Sequence, residues 1–425
     1  RGDVPKYLRC ADDSPVTACL HNVATRNFVT AHGRSVKVWE EENGSVVANY
    51  ENITESTITC LALDHRGRKF FLGDSRGNIQ GHVFATGICY RRFKSLSSAV
   101  ADLSYAVFRS GKRFLLICGG SEFWACEDTE VDGKQTKVTQ PFHLMRAELM
   151  KQHPDHNVAT PPIRTRRERH RSTVAGSLTS TAANNTSSTT AQQQQQQQQA
   201  NTLGIAFSKV CSQSKLSMAF LTANSLVAGI DIGTLTVIHL FSVQTPVACV
   251  TPMGDLPVVA ILDQNWNLSI SAIRPSLSAE KLLVTKPLLD EEQLLLDPAD
   301  RSVPSCMTFH QNKRRLYVGD SAGTVSCWDL ADFVKSSGLG PASYPMTSIA
   351  ETVLRKRHEL PDQTKARESI YLLRKVEAHT DEVNTIEVVF TNVAVTVVTS
   401  SFDHRVRAWD WEFNDLGDLS QGRVP

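Results

Sequence analysis

His379, Thr399, Asp403 and Trp409 stand close together near the end of the 425-residue sequence. A histidine paired with an aspartate can activate a hydroxyl for nucleophilic catalysis. The sequence contains no HExxH, GxGxxG or GxxxxGK[ST] pattern that would supply a metal, dinucleotide or nucleotide site. We therefore expect no catalytic residue, no metal, no bound cofactor or small-molecule substrate, and no enzymatic activity.

The tryptophan of this group belongs to a pattern that recurs along the chain. Short apolar runs separated by Gly, Asp, Asn and Ser return about every 40 residues, the length of one four-stranded propeller blade. A tryptophan or its substitute falls at Trp39, His82 and Trp124, and Trp-Asp pairs begin at Trp328 and Trp409. The pattern predicts an all-β chain, a seven-bladed WD-repeat β-propeller with two long insertions.

The same four residues have a structural interpretation in such a blade. A histidine before the first strand, a hydroxyl on the second, an aspartate in the next turn and a tryptophan on the third strand form one buried hydrogen-bond chain. This accounts for all four residues at once, whereas a catalytic pair accounts for two. Trp39 and Trp328 are expected to serve their own blades. Because Ala322 and Arg76 occupy the aspartate position, the networks of blades six and two are expected to be incomplete.

Two stretches interrupt the repeat. One is rich in Arg, Ser, Thr and Gln, with too little apolar content to offset the entropy of ordering. The other carries many charges and the apolar residues Leu354, Leu360, Tyr371 and Leu372, which favour a short helix on the rim. The predicted organisation is blades one to three over 1–126, a disordered insertion over 127–201, blades four to six over 202–334, a charged insertion over 335–375, and a closing blade with a C-terminal strand over 376–425.

Composition excludes several classes of protein. The chain is 41% hydrophobic with a net charge of +1, and no apolar run approaches the ~20 residues that a membrane span needs. Its ten cysteines are scattered and show no CxxC spacing. They are predicted to be buried, reduced thiols, which is typical of a cytoplasmic protein.

One local cluster of charge stands out, in the first insertion. Its members could contact an acidic partner such as a tubulin tail or nucleic-acid phosphates: Arg164, Arg166, Arg167, Arg169 and Arg171. No aromatic residue accompanies them, which argues against binding of single-stranded nucleic acid. The histidines at 143, 153, 156 and 170 lack the regular spacing of metal ligands.

The sequence resembles a known family through three stretches: "PVTACLHN…GRSVKVWEEENGSVV", "ITCLALDHRGRKFFLGDSRGNIQGHVFATGICYRRF" and "EAHTDEVNTIEVV…TSSFDHRVRAWDWEFNDLGDLSQG". They are similar to the WD-repeat proteins associated with cilia and flagella, some of which carry EF-hands ahead of their propellers. This sequence shows no EF-hand loop. The resemblance implies a structural or assembly component of the axoneme that binds axonemal or microtubule-associated proteins.

Two other functions stay open. A propeller presents loops, a rim and a channel to partners, so the alternative function is a cytosolic adaptor, such as a ubiquitin-ligase substrate receptor or a trafficking scaffold. An RNA-associated propeller rests on the arginines alone. Localisation separates the axonemal component from the adaptor.

The blade interpretation makes a prediction about stability. Replacing Trp409 or Asp403 with alanine leaves buried partners unpaired, so we expect a loss of about 1 to 3 kcal/mol for each. Replacing the glutamines of 192–199 with serine should change nothing, since they lie in the first insertion. Thermal melts of the three variants test this, and equal melting temperatures would refute the blade assignment.

Overall fold

The computed structural model describes residues 14–108, 111–129, 133–152, 205–273, 282–289, 296–297, 300–339, 363–390 and 395–419. Within these ranges the chain forms seven four-stranded sheets, and each sheet takes four consecutive strands. Every pairing of neighbouring strands is antiparallel. The predicted seven-bladed architecture is confirmed.

The strands follow the chain blade by blade. Blades one to three contain β1 (Val16–Asn22), β2 (Asn27–His32), β3 (Ser35–Glu40), β4 (Val46–Tyr50), β5 (Ile58–Leu63), β6 (Lys69–Asp74), β7 (Ile79–Val83), β8 (Cys89–Arg92), β9 (Asp102–Val107), β10 (Arg113–Gly119), β11 (Glu122–Glu127) and β12 (Gln135–Lys137). Blades four to seven contain β13 (Phe207–Gln213), β14 (Met218–Ala223), β15 (Leu226–Asp231), β16 (Thr236–Ser242), β17 (Val247–Pro252), β18 (Val258–Asp263), β19 (Asn267–Ala272), β20 (Leu282–Pro287), β21 (Pro304–His310), β22 (Arg315–Asp320), β23 (Thr324–Asp329), β24 (Tyr371–Glu377), β25 (Val383–Phe390), β26 (Val395–Ser401), β27 (Val406–Asp410) and β28 (Asp415–Leu419).

The first strand of each blade lies at the centre of the ring. β1 contacts β5, β5 contacts β9, and the series continues through β13, β17, β21 and β25 back to β1. The ring therefore closes within the described residues. Second strands such as β14 are buried at every position, because each blade is covered on both faces by its neighbours. Apolar runs, and not strict alternation, are the expected sequence of such strands.

The ring closes where blade seven meets blade one. The apolar side chains of this seam are Val16, Cys19, Phe28, Trp39, Val389, Val398, Val406 and Leu419. Asn384 also donates a side-chain hydrogen bond to the carbonyl oxygen of Val16. Since every sheet is one continuous stretch of chain, closure depends on this packing and not on a strand exchanged between the ends.

The insertions differ from the sequence-based expectation. The stretch 127–201, expected to be disordered, holds β12 and helix α1 (Gln140–Gln152), whose Met145 is fully buried against blade four. The rest of that stretch, from residue 153, lies outside the described residues.

The second insertion begins and ends differently from the prediction. It lies between the third and fourth strands of blade six and contains α2 (Ala331–Ser336) and α3 (Gln363–Glu368). Tyr371 and Leu372, expected in a helix, belong to β24, which pairs with β23. Leu354 and Leu360 lie outside the described residues. Blade five takes its first strand from β17. No helix in the described ranges is long and apolar enough to cross a membrane.

Glycines at the hairpins between second and third strands allow adjacent blades to approach. Gly323 has a φ of +89°, and a Cβ there would lie 2.1 Å from the carbonyl oxygen of His379. Gly111 lies in a different kind of turn, between the first and second strands of blade three, and has a similar φ of +82°, but a Cβ there would meet nothing within 4 Å. The two positions therefore share the backbone strain and differ in the steric clash.

This difference gives a prediction for the junction of blades six and seven. Gly111→Ala should cost about 1 to 2 kcal/mol, the strain of a left-handed alanine. Gly323→Ala should cost clearly more, because the loop carrying His379 must also move away. Urea denaturation of both variants measures the two free energies of unfolding, and equal losses would show that the close approach is unimportant.

Candidate functional site and the blade networks

The four residues at the end of the chain meet in blade seven. The two ring nitrogens of His379 lie 2.9 Å from Oδ2 of Asp403 and 2.8 Å from Oγ1 of Thr399. Nε1 of Trp409 donates a bond of 2.9 Å to the same Thr399 hydroxyl. β26 and β27 carry the threonine and the tryptophan, while the loops before β25 and after β26 carry the histidine and the aspartate.

The electrostatics of this network suit a fixed structural link. Burial raises the pKa of Asp403, but hydrogen bonding and charge attraction from His379 and two backbone N–H groups outweigh it, so the pKa lies below its ordinary value. Thr399 is fully buried, and its hydroxyl already contacts both the histidine and the tryptophan. A substrate would have to displace these bonds to reach it. We propose that the network holds the hairpin of blade seven to the preceding loop.

Trp39 and Trp328 also bond to hydroxyls, by two different routes. Nε1 of Trp39 donates to Oγ1 of Thr30 at 2.7 Å, and that hydroxyl lies 2.5 Å from Nε2 of His32. Nε1 of Trp328 donates to Oγ of Ser326, two residues earlier on the same strand, at 3.0 Å. Blade one thus takes its histidine from its own second strand.

Blades two and six contain an aspartate that the sequence prediction overlooked. Asp74 and Asp320 end the second strands, two positions before Arg76 and Ala322. Oδ1 of each accepts the backbone N–H groups two and four residues further on. The networks of blades two and six therefore do contain a carboxylate, because an aspartate can bond to the turn that follows it.

The second oxygen of each aspartate ties the hairpin to the loop before the first strand. Oδ2 of Asp74 accepts from Thr54 at 3.0 Å, and Oδ2 of Asp320 accepts from Ser302 at 2.7 Å. The pKa values of these two carboxyls are shifted in opposite directions. Burial raises the pKa of Asp320 despite its bonds, whereas for Asp74 hydrogen bonds outweigh burial and the pKa is lowered.

These hairpins also contain a spacing that sequence analysis did not identify. Residues 73–77 read GDSRG and residues 319–323 read GDSAG, the GxSxG spacing of a hydrolase nucleophile. That motif requires a turn from a strand into a helix. Here Ser75 and Ser321 lie in turns between antiparallel strands, and Ser321 accepts the backbone N–H of Val303. The aspartate and the final glycine explain the spacing as a turn.

In blade three the tryptophan of the third strand is not at the position that it has in blade one. In blade one, Trp39 pairs with Phe28 and lies four residues after Ser35, the first residue of β3. In blade three the equivalent residue, opposite Leu115, is Cys126, so Trp124 stands two positions too early. Its Nε1 has no hydrogen-bond partner among the described residues. His82 does occupy the slot, and its ring nitrogens meet Gly87 and Gln80.

The described cysteines are all free thiols. Burial raises the pKa of Cys126, Cys249 and Cys327 to about 12. They stay protonated at neutral pH and are poor nucleophiles and poor metal ligands.

Among the described residues, no group of three or more His, Cys, Asp or Glu side chains is placed to hold a metal ion. His143 lies on α1. The histidines at 153, 156 and 170, and the five arginines Arg164, Arg166, Arg167, Arg169 and Arg171, lie outside the described residues.

An open cleft lies where the first strands of blades five, six and seven end. Its volume is about 420 Å³. Thr251 and Pro252 end β17, the turn after β21 contributes Gln311 and Asn312, and Phe390 ends β25. Phe390 is 49% exposed. The cleft is open to solvent and large enough to receive part of another molecule.

Acidification should separate the two kinds of aspartate. The pKa of Asp403 in the folded protein is lowered from its ordinary value near 3.8. This carboxylate therefore stabilises the fold at pH values above 3.8, and the contribution is lost as the pH falls through and below that value. Asp403→Asn should therefore lose less stability than the parent between neutral pH and about pH 3. Because the pKa of Asp320 is raised, this carboxyl takes up its proton more readily in the folded state and adds stability as the pH falls. Asp320→Asn lacks this contribution, so it should lose more stability than the parent. Urea denaturation across this range measures both slopes, and parallel slopes would contradict the assignment.

Comparison with known proteins agrees with this geometry. A family model described as "WD domain, G-beta repeat" matches residues 370–410, which include His379, Thr399, Asp403 and Trp409. Cilia- and flagella-associated protein 337 B of Tetrahymena thermophila is 24% identical over 102 residues. That alignment covers 24% of this chain and 8% of the relative. The chain thus matches only a small part of a much longer protein.

A solved structure matches nearly the whole chain. The crystal structure of the Cps50 (Swd1) β-propeller domain of Myceliophteria thermophila superimposes with a TM-score of 0.57 and covers 94% of this chain and 97% of its own. The two sequences are 11% identical, so the likeness concerns the fold alone. The chain carries a WD repeat and is a seven-bladed β-propeller.

Proposed function

We propose that this protein is a non-catalytic scaffold for protein–protein interaction and that it works as a structural or assembly component of the ciliary or flagellar axoneme. The closed seven-bladed ring carries the first part of this proposal. Its blades pack against each other all round, so loops and clefts are held at fixed positions. A rigid surface of this kind loses little entropy when a partner docks.

The contacts within the blades support binding over chemistry. The histidine–aspartate pair of blade seven lies in a network whose hydroxyl is fully buried. The described cysteine thiols with raised pKa values stay protonated at neutral pH. The open cleft beside Phe390 offers apolar surface, hydroxyls and amides, which are the groups that bind peptide segments.

The ciliary assignment rests on sequence likeness. The stretches quoted above resemble WD-repeat proteins of cilia and flagella, and the ciliate protein is 24% identical over 102 residues. The partners proposed on this basis are axonemal or microtubule-associated proteins. The cytosolic adaptor remains the alternative that the localisation experiment must exclude.

The test is to follow the fluorescently tagged full-length protein in flagellated cells before and after detergent extraction. Extraction removes the membrane and the soluble matrix and leaves the axoneme. We expect the signal to remain along the extracted axoneme. A signal that is diffuse, or lost completely on extraction, would contradict the axonemal role and favour the soluble adaptor.

A further inference from the structure

The cleft between the ends of β17, β21 and β25 has the size of a binding site for part of a peptide. Its 420 Å³ fall within the range of about 300 to 1,000 Å³ typical of ligand pockets. Thr251, Thr308 and Asn312 line it with hydroxyl and amide groups, which can bond to a peptide backbone. Pro252 and the half-buried Phe309 add apolar surface.

Phe390 is the apolar anchor of this cleft. It is 49% exposed, and its ring lies 5.2 Å from the ring of His310. His310 is only 1% exposed, and neither of its ring nitrogens has a hydrogen-bond partner among the described residues. The ring of Phe390 therefore packs against a buried histidine, while about half of its side-chain surface stays exposed.

Positive charge collects on the turn beside the cleft. Lys313 and Arg315 lie over the ring of Trp411, at 4.7 Å and 4.8 Å from its centroid. Neither forms an ion pair within the described part of the chain. Arg314, between them, does pair with Asp255, at 2.8 Å. Two cations thus lie directly after Gln311 and Asn312, which line the cleft, and neither is paired with a carboxylate of the described residues.

The same positive charges affect the neighbouring His310. Burial lowers the pKa of His310, and the charges of Arg315 and Lys313 lower it further, to about 4. The imidazole is therefore neutral at physiological pH, so it adds no charge of its own.

We propose that this cleft binds an extended acidic peptide segment of a partner protein, with one apolar side chain against Phe390 and carboxylates beside Lys313 and Arg315. The proposal rests on the scaffold function proposed above and identifies the kind of partner. A single apolar anchor fixes the register of the peptide. The charges speed its approach and select against basic segments.

Fluorescent peptide arrays test this inference. The purified full chain is probed with short peptides in which glutamates flank one central leucine, phenylalanine or methionine, and with counterparts that carry glutamine for glutamate. We expect binding of the glutamate peptides, weakening as salt rises, and little binding of the glutamine set. Fluorescence anisotropy then gives the dissociation constant of the best peptide.

Two variants locate the site. Lys313→Glu should weaken binding at least about tenfold, because an attractive charge becomes a repulsive one. Phe390→Ser should weaken it by a similar factor without changing the salt dependence, because it removes the anchor and no charge. Lys112→Glu is the matched control, since it makes the same charge change on the equivalent exposed turn of blade three and should leave the affinity unchanged.

Each contrary outcome overturns the inference. Absence of binding across the array, equal binding of the glutamine set, or equal affinities of all variants would do so. Self-association of the parent chain that Phe390→Ser abolishes would assign the cleft to a second copy of this protein. Circular dichroism of each variant confirms that it is folded.

Failure of this inference is separate from failure of the scaffold function. A Lys313→Glu protein that stays on extracted axonemes while losing the peptide would mean that other surfaces hold it there. A parent chain that binds the peptide but is absent from axonemes would keep the site and reject the localisation.

Discussion

The second strand of each blade is buried along nearly its whole length, and this constraint determines where the polar residues of the fold lie. The hairpin between a second and a third strand reverses the chain beside the adjacent blade, and the N–H groups of its turn have no partner in the strand ladder. An unpaired buried group costs about 1 to 3 kcal/mol. Each of the hairpins of blades two, six and seven therefore carries an aspartate that accepts these N–H groups and bonds to the loop before the first strand.

The position of that aspartate separates what the sequence could predict from what it could not. Blade seven contains all four residues of a WD network in order, so its contacts followed from the sequence. In blades two and six the carboxylate stands two residues earlier, at Asp74 and Asp320. The residues at the position equivalent to Asp403 are Arg76 and Ala322, so the sequence pattern does not reveal the carboxylate of these blades. The preceding glycine and the turn that follows are the signal that would have revealed it.

Strand periodicity explains the other differences. Trp124 and Cys126 are two residues apart, so their side chains point to the same face of β11, and spacing alone cannot decide which fills the tryptophan slot. The sequence predicts a short helix where β24 lies, because charged residues surround Tyr371 and Leu372 and hide the strand. The cleft could not be predicted at all. His310 and Phe390 end the first strands of blades six and seven, Trp411 lies in the turn after β27, and only the packing of the two blades brings them together.

Among the described residues, Trp39 and Trp409 donate to hydroxyls in blades one and seven, whose first strands β1 and β25 pack together at the seam. Trp328 of the adjacent blade six donates to a hydroxyl of its own strand. Trp39 is a fully buried part of the apolar packing at the seam. The cleft beside Phe390 lies in the same sector of the ring. Because Phe390 ends β25, the packing of β25 on β1 that closes the ring also holds the surface proposed to bind a partner.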